Sequence, residues 1–211
     1  MNSPAPTRRI PFLLLAGGLL LLCLFGGALL WQARGGSAGG AARPPLEGAD
    51  IGGPFALVDE DGRAVTDEDF AGKWRLIYFG YTFCPDVCPT DMQALAQGFR
   101  AFEAAAPDRA ATVQPIFVTI DPARDTPAVV KTFTDAFHPR FLGLTGTPAQ
   151  VDVALKAYRV YASRGAGSGN DYLMDHSAIA YLMGPDGTPV SFLSQGVKPS
   201  EVTAELRKWV R

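Results

Sequence analysis

The hydrophobic pattern first sets off an apolar segment near the N-terminus. Residues 10–33 carry no charged side chain and directly follow Arg8 and Arg9. Their centre, 12–31, has the roughly 20 apolar residues that a transmembrane helix needs, more than the apolar core of a cleaved signal peptide. Because basic residues stay on the cytoplasmic side, we predict a cytoplasmic N-terminus at 1–11 and a retained transmembrane anchor at 12–31.

The rest of the chain predicts a linker followed by one domain. Residues 32–49 are rich in glycine, alanine and proline, which is typical of a flexible linker. Residues 50–211 are long enough for a single domain with an adequate hydrophobic core.

Within this domain, apolar runs of strand length alternate with segments of helical spacing. Two nearly continuous apolar runs predict buried central strands at 73–80 and 113–120. Four helices are predicted, at 91–106, 126–137, 147–158 and 200–210. The signals are the helical spacing of apolar residues and the presence of Thr-Pro or Ser where a helix begins.

The remaining strands are short and bounded by turn residues. They are predicted at 55–58, 63–65, 159–163, 177–183 and 189–193. The first two flank Asp61-Gly62, which favours a type I′ hairpin turn, and residues 165–170 are predicted to form a glycine-rich loop. The order of elements indicates an α/β, thioredoxin-like fold with an added N-terminal β-hairpin and one inserted helix, preceded by one transmembrane helix.

The candidate chemistry follows the first buried strand, where residues 84–89 read CPDVCP. Each cysteine precedes a proline, which disfavours the α conformation, so we predict Cys84 and Cys88 in a stiff loop and a helix that begins near Pro89. A helix N-terminus stabilises nearby thiolates. The two thiols can therefore close a disulfide or bind one soft metal ion.

Composition narrows the classes of function. The 211 residues include 19 Lys and Arg and 21 Asp and Glu, for a net charge of −2. This balance provides no basic surface for nucleic acid. The third cysteine, Cys23, lies inside the apolar segment and is interpreted as a spectator. Cys84 and Cys88 are thus a functional pair rather than part of a disulfide framework.

Three motifs resemble the SCO/SenC family, and they occur in the family order: YFGYTFCPDVCP at 78–89, VTIDPARDTP at 118–127 and DYLMDHS at 171–177. The resemblance covers residue 50 to the end. It implies a membrane-anchored, thioredoxin-like copper chaperone that helps to assemble the copper A centre of cytochrome c oxidase.

The family match assigns the copper ligands to Cys84, Cys88 and His176. It implies cytochrome c oxidase subunit II as partner, together with a copper-donor chaperone and a thiol reductant. With the predicted anchor, it implies a single-pass protein of the bacterial inner membrane whose domain faces the periplasm.

The donor types agree with copper. Thiolates are soft enough for Cu(I), while imidazole also suits Cu(II), so two cysteines and one histidine can hold both oxidation states. His176 comes just before the apolar run 178–183. At the entrance of such a strand in a thioredoxin-like sheet, a side chain faces the thiol loop.

Several neighbouring residues have alternative interpretations. Asp175 is a candidate for orienting the imidazole, although a turn or strand-capping role explains it equally well. Asp86 is a candidate for approaching the metal, although a role at the helix N-terminus explains it equally well. Asp121 and Asp125 stay open between turn or capping roles and a partner contact. The residues interpreted as structural are His138, Met92, Met174, Met183 and Trp74.

Two classes of function remain open at this point. The first is a copper carrier, and the second is a thiol–disulfide oxidoreductase that keeps the copper A cysteines reduced. His176 favours the first, because a dithiol reductase needs no third ligand. A peroxiredoxin is disfavoured because Thr82 precedes Cys84 by two residues rather than three. A structural zinc site is disfavoured because such sites usually have four ligands.

Overall fold

In the computed structural model, the described residues are Cys23, Phe25, Gly26 and 43–211. The predicted cytoplasmic segment 1–11, most of the predicted anchor at 12–31 and the linker up to residue 42 lie outside this part of the chain. Among the described residues, no helix is long and apolar enough to cross a membrane.

The domain contains nine strands and five α-helices. The strands are β1 (Ala56–Asp59), β2 (Ala64–Thr66), β3 (Trp74–Gly80), β4 (Val113–Thr119), β5 (Leu142–Thr145), β6 (Ala162–Ser168), β7 (Asp171–His176), β8 (Ile179–Met183) and β9 (Pro189–Ser194). The helices are α1 (Val87–Ala105), α2 (Pro107–Ala111), α3 (Pro127–Asp135), α4 (Pro148–Ala157) and α5 (Pro199–Trp209). A 3₁₀ turn spans Asp67–Phe70.

Seven strands form one mixed sheet in the order β2-β1-β5-β4-β3-β8-β9. Strands β3, β4 and β5 run parallel, whereas the other pairs are antiparallel. The two central strands are apolar and buried along nearly their whole length, as strands covered on both faces should be. The sheet therefore fixes the C-terminal ends of β3 and β4 side by side.

Large side chains fill the core around these strands. Phe79, Phe99 and Phe117 are completely buried, and the Phe79 ring packs 5.1 Å from the ring of Tyr158. Each such aromatic contributes about 1.5–3 kcal/mol through burial. This packing holds the end of β3, and with it the start of the thiol loop, in a defined place.

The predicted α/β class, the two central strands and the four predicted helices are confirmed. Their ends lie within two residues of the predicted positions, except at the start of α1, which begins at Val87 rather than at residue 91. The short helix α2 was not predicted. It begins at Pro107, where the sequence pattern suggested only the end of the preceding helix. Proline at the first position of a helix loses no hydrogen bond, so it starts a new helix there.

The strand pair β6–β7 corrects a second prediction. We predicted a strand at 159–163 and a loop at 165–170, but β6 extends to Ser168 and pairs antiparallel with β7 in a separate two-stranded sheet. The pairing shifts register between Arg164 and Gly167. A glycine-rich strand has no apolar alternation, so its partner strand rather than its own pattern defines it.

The first hairpin is closed differently from the predicted type I′ turn. Gly62 has a φ of 83°, but among the non-glycine residues described only Arg159 has a positive φ, so Asp61 lacks the conformation that this turn requires. Instead, the Asp59 carboxylate accepts hydrogen bonds from the backbone N–H groups of Asp61, at 2.9 Å, and Arg63, at 2.8 Å.

The domain also begins earlier than predicted. The compact unit starts at Arg43, within the predicted linker at 32–49. Leu46 packs against the core and donates its N–H to the carbonyl of Val190 at 3.2 Å. Residues 43–49 are thus part of the domain.

Candidate metal and redox site

The two cysteines lie where β3 passes into α1. We predicted that the helix begins near Pro89, but it begins two residues earlier, at Val87, so Cys88 lies in its first turn. The first four N–H groups of a helix have no partner within it, so Pro89 costs no hydrogen bond there. Cys84 stays in the loop and is half-buried, while Cys88 is completely buried.

The two cysteines contact each other without forming a disulfide. Both cysteines are free, and the backbone N–H of Cys88 donates to the Cys84 Sγ at 3.4 Å. Gly80, at the end of β3, makes room for the buried thiol, because a Cβ at this position would lie 3.0 Å from the Cys88 Sγ. The glycine therefore lets the thiol pack directly against the strand.

The structure brings His176 to these thiols from the end of β7. Its Nε2 lies 3.6 Å from the Cys88 Sγ, across a separation of 88 residues in sequence. The Tyr81 ring meets the imidazole edge-on, with centroids 5.8 Å apart and planes at 87°. Two thiols and one imidazole thus converge from separate segments of the chain.

The second ring nitrogen of His176 has a backbone neighbour. Nδ1 lies 3.2 Å from the carbonyl oxygen of Ser177. A proton on Nδ1 is donated to this carbonyl and leaves the Nε2 lone pair facing the thiols, the usual arrangement for a metal-binding histidine. Asp175 was one candidate for this orienting role, beside a turn or strand-capping role, but its exposed carboxylate makes no hydrogen bond to the ring among the residues described.

The surroundings of the two thiols shift their pKa values in opposite directions. The hydrogen bond from the Cys88 side chain lowers the pKa of Cys84 well below that of an ordinary thiol, and the hydrogen bond from the Cys88 backbone N–H adds to this effect. The hydrogen bond to Cys84 raises the pKa of Cys88, and burial raises it further. At neutral pH the pair therefore consists of a half-buried Cys84 thiolate and a buried Cys88 thiol.

This difference predicts the order of alkylation. In reduced full-length protein carrying Cys23→Ser, iodoacetamide modifies Cys84 first, and Cys88 reacts slowly because it is protonated and buried. Because Cys84 remains a thiolate from pH 8 to 6, its alkylation rate should stay nearly constant over this range. The alkylation rate of an ordinary thiol falls about tenfold per pH unit. Peptide mass spectrometry measures both rates. A Cys84 rate that falls in step with free cysteine would contradict the assignment.

The donor set fits copper in type and in spacing. A sulfur and a nitrogen bound to one ion at about 2.3 and 2.0 Å can lie up to about 4.3 Å apart, so the 3.6 Å between Cys88 and His176 is compatible with a shared ion. Among the residues described, no group of three or more His, Cys, Asp or Glu side chains already has the full arrangement of a metal site.

The site opens into a surface cleft of about 480 Å³. Cys84 and His176 line it, and so do Asp86 and Asp175, both of which are exposed. Leu173 lies on its rim with about half of its surface exposed. The cleft gives a partner molecule access to Cys84, while Cys88 is beneath the surface.

The other sulfur and imidazole candidates are structural. His138 is buried, with its Nε2 2.9 Å from the Glu103 carboxylate and its ring 5.3 Å from that of Phe99. Burial lowers the pKa of His138. Met92 and Met183 are completely buried, which confirms their predicted core role. Met174 packs partly against the core and also lines the cleft.

A buried aspartate that we left open between capping and partner contact instead anchors the thiol loop. The Asp125 carboxylate accepts from the Thr82 N–H at 3.0 Å and hydroxyl at 2.6 Å, and from the Thr119 hydroxyl at 2.6 Å. Burial raises the pKa of Asp125. The available signal was topological, because Asp125 follows β4 and the carboxyl ends of neighbouring parallel strands share one edge.

A second buried pair, which the sequence did not indicate, lies near Cys88. The Tyr78 hydroxyl donates to Asp91 at 3.2 Å, and the Gly196 N–H donates to the same carboxylate at 2.9 Å. Burial raises the pKa of Asp91 and of Tyr78, and in Tyr78 the proximity of Cys88 adds to the shift. These contacts tie the first turns of α1 to β3 and to the segment after β9.

The fold and site together define a thioredoxin-like dithiol protein with an added imidazole donor. The sequence model of the SCO1/SenC family matches residues 43–211, and the chain belongs to this family.

Curated relatives agree with this assignment. The chain is 40% identical over 164 residues to the human mitochondrial SCO1 homolog, a match that covers 76% of this chain and 53% of that protein. It is 45% identical over 154 residues to protein SenC of Rhodobacter capsulatus, covering 73% of this chain and 68% of that one. The chain thus spans about half the length of the human relative.

Solved structures give the same result. Bradyrhizobium japonicum ScoI with copper bound is 45% identical, with a TM-score of 0.68 over 75% of this chain and 99% of that chain. Arabidopsis thaliana ScoI with copper bound is 36% identical, with a TM-score of 0.70 over 75% and 97%. The predicted family is confirmed, and copper is the metal bound in these homologous structures.

Proposed function

We propose that this protein carries copper on Cys84, Cys88 and His176 for the assembly of cytochrome c oxidase. The observation that carries the proposal is the position of the His176 Nε2, 3.6 Å from the buried Cys88 thiol. A dithiol that only exchanges electrons with partner proteins needs no such third donor.

Three further observations support copper as the ion. The donor set combines two thiols with one imidazole, which together suit Cu(I) and Cu(II). Cys84 is held as a thiolate, the form that binds metals. Homologues with 45% and 36% identity were solved with copper bound.

The proposal includes the cellular setting implied by the sequence. An anchor at 12–31 holds the domain at the outer face of the bacterial inner membrane, where subunit II of the oxidase exposes its copper A site. The open cleft leaves Cys84 accessible to that partner, so copper passes on by exchange of one ligand at a time. A copper-donor chaperone and a thiol reductant supply the loaded, reduced state.

The acidity difference favours a second candidate, a thiol–disulfide reductase. The Cys84 thiolate attacks one sulfur of a partner disulfide, forming a mixed disulfide and releasing one partner thiolate. Cys88 then loses its proton and attacks the Cys84 Sγ, which releases the second partner thiolate. The partner gains two electrons, and Cys84 and Cys88 are left oxidised as a disulfide.

The shared thiols provide a test of copper binding. The full-length protein, in detergent and with Cys23→Ser, is prepared both reduced and as the Cys84–Cys88 disulfide, and copper uptake is measured by elemental analysis. We expect about one copper per reduced chain and none per oxidised chain, because a disulfide has no thiolate to offer. Equal uptake by both forms would show that copper binds elsewhere.

A further inference from the structure

The loop that follows β4 contacts both halves of the site. Asp125 binds the thiol loop through Thr82, as described above. The side chain of the preceding residue, Arg124, contacts the β6–β7 hairpin, which carries His176. One short loop is therefore in contact with the thiols' segment and with the imidazole's segment.

Arg124 is a buried cation with hydrogen-bond partners on two segments of the chain. Its side chain is 6% exposed, and its Nε donates to the Asp121 carboxylate at 2.6 Å. Its Nη1 donates to the carbonyls of Tyr172, at 2.8 Å, and Asn170, at 3.1 Å. The bonds to these two carbonyls tie β7 and the turn before it to the end of β4.

Aromatic rings enclose the same guanidinium. Its Cζ lies 3.6 Å from the centroid of the Tyr172 ring, and the Tyr172 hydroxyl donates to Asp121 at 2.7 Å. The rings of Phe83 and Tyr81, from the thiol loop, lie 4.9 and 5.6 Å away. The Nη2 is buried and has no hydrogen-bond partner among the residues described. Burying a donor without a partner costs free energy, and the stacking and the ion pair with Asp121 must offset this cost.

The hairpin depends on contacts of this kind. Strands β6 and β7 pair only with each other and not with the main sheet, and an isolated two-stranded hairpin is marginally stable in water. Side chains two residues apart share a face of a strand, so Tyr172 and His176 lie on the same face of β7. That face is the one on which Tyr172 is buried.

We propose that Arg124 is a positioning residue that docks the β6–β7 hairpin and thereby holds His176 at the thiols. Arg124 forms an ion pair with Asp121, donates a hydrogen bond to the backbone of β7 and stacks on Tyr172. Its guanidinium also lies near the aromatic rings of the thiol loop. The consequence for the copper site rests on the proposed function, whereas docking of the hairpin does not.

Hydrogen exchange and Cu(II) spectra of the full-length protein test this role. Arg124→Met keeps the length of the side chain but removes its charge and donors. Arg164→Met is the matched control, because Arg164 also stacks on Tyr172, with its Cζ at 3.9 Å, but bonds only within the hairpin, to the Gly169 carbonyl. Arg124→Lys keeps the positive charge but lacks the planar set of N–H donors of a guanidinium.

We expect Arg124→Met to lower the protection of the β6 and β7 amides at least tenfold while β3 and β4 stay protected. Its Cu(II) electron paramagnetic resonance spectrum should change, since the imidazole is displaced. Arg124→Lys should lie between Arg124→Met and wild type, and Arg164→Met should match wild type in both measurements. Hairpin protection within twofold of wild type in Arg124→Met, or an equal loss in Arg164→Met, would overturn the proposal.

A second variant covers the case in which Arg124→Met loses protection throughout the domain. Tyr172→Phe removes only the hydroxyl that binds Asp121 and keeps the stacked ring. We expect about threefold faster exchange confined to the hairpin, and no local change would refute the docking role. If wild-type protein binds no copper, the proposed function fails, but the exchange measurements still decide the role of Arg124.

Discussion

Replacing either cysteine with serine abolishes copper binding in both oxidation states. Cys84→Ser and Cys88→Ser each remove one of two thiolates, and a serine hydroxyl is a poor ligand for Cu(I). The loss should exceed about 100-fold in affinity, beyond what is typical when a residue that only supports a metal ligand is changed. Competition titrations of the reduced full-length protein against a chelator of known copper affinity measure it.

The two variants differ in their cost to the fold. Cys88 is completely buried, so its serine variant places a hydroxyl in the core, at about 1–3 kcal/mol if it stays unpaired. Cys84 is half-buried and its replacement should cost less. Cys23→Ser is the matched control and should bind copper as the wild type does. Retention of wild-type affinity by folded Cys84→Ser would exclude this thiol as a ligand.

Replacing His176 with alanine separates the two oxidation states. We expect Cu(II) affinity to fall by about 100-fold or more, because imidazole is the donor that suits Cu(II). Cu(I) should be retained better, since two thiolates can hold it without the ring. The Cys84–Cys88 disulfide should still form. Electron paramagnetic resonance follows Cu(II), and thiol titration follows the disulfide.

The other histidine provides the control for this variant. His138 is bonded to Glu103 and buried, so His138→Gln should lower stability without changing the Cu(II) spectrum. An unchanged Cu(II) affinity in His176→Ala, with the fold intact, would remove His176 from the ligand set.

Much of the fold follows from local sequence signals. Strands β3 and β4 are nearly continuous apolar runs, and α3 and α4 start at Thr-Pro pairs in which the proline takes the first helical position, so local signals and fold agree there. The dithiol was evident from the spacing of Cys84 and Cys88. Assigning His176 depended on the family motif, since a lone histidine before an apolar run does not indicate a ligand.

The remaining parts depend on contacts between distant segments. The glycine-rich β6 is a strand because β7 pairs with it, and the early start of α1 places Cys88 in a helix although Pro89 follows. The positions of Arg124 and Asp125 next to the site result from the pairing of β3 with β4. The sequence around Asp125 left open a turn, a helix cap or a partner contact, and it did not indicate a contact with the thiol loop.

If the proposed function is correct, His176 and the two thiols together deliver copper to the oxidase. The most direct test is the copper A content of cytochrome c oxidase purified from cells that carry His176→Ala at normal abundance, with wild type and His138→Gln in parallel. We predict an oxidase without copper A in the His176→Ala cells and a loaded oxidase in both controls. Full copper A content with His176→Ala would contradict the copper-carrier function and favour the thiol reductase.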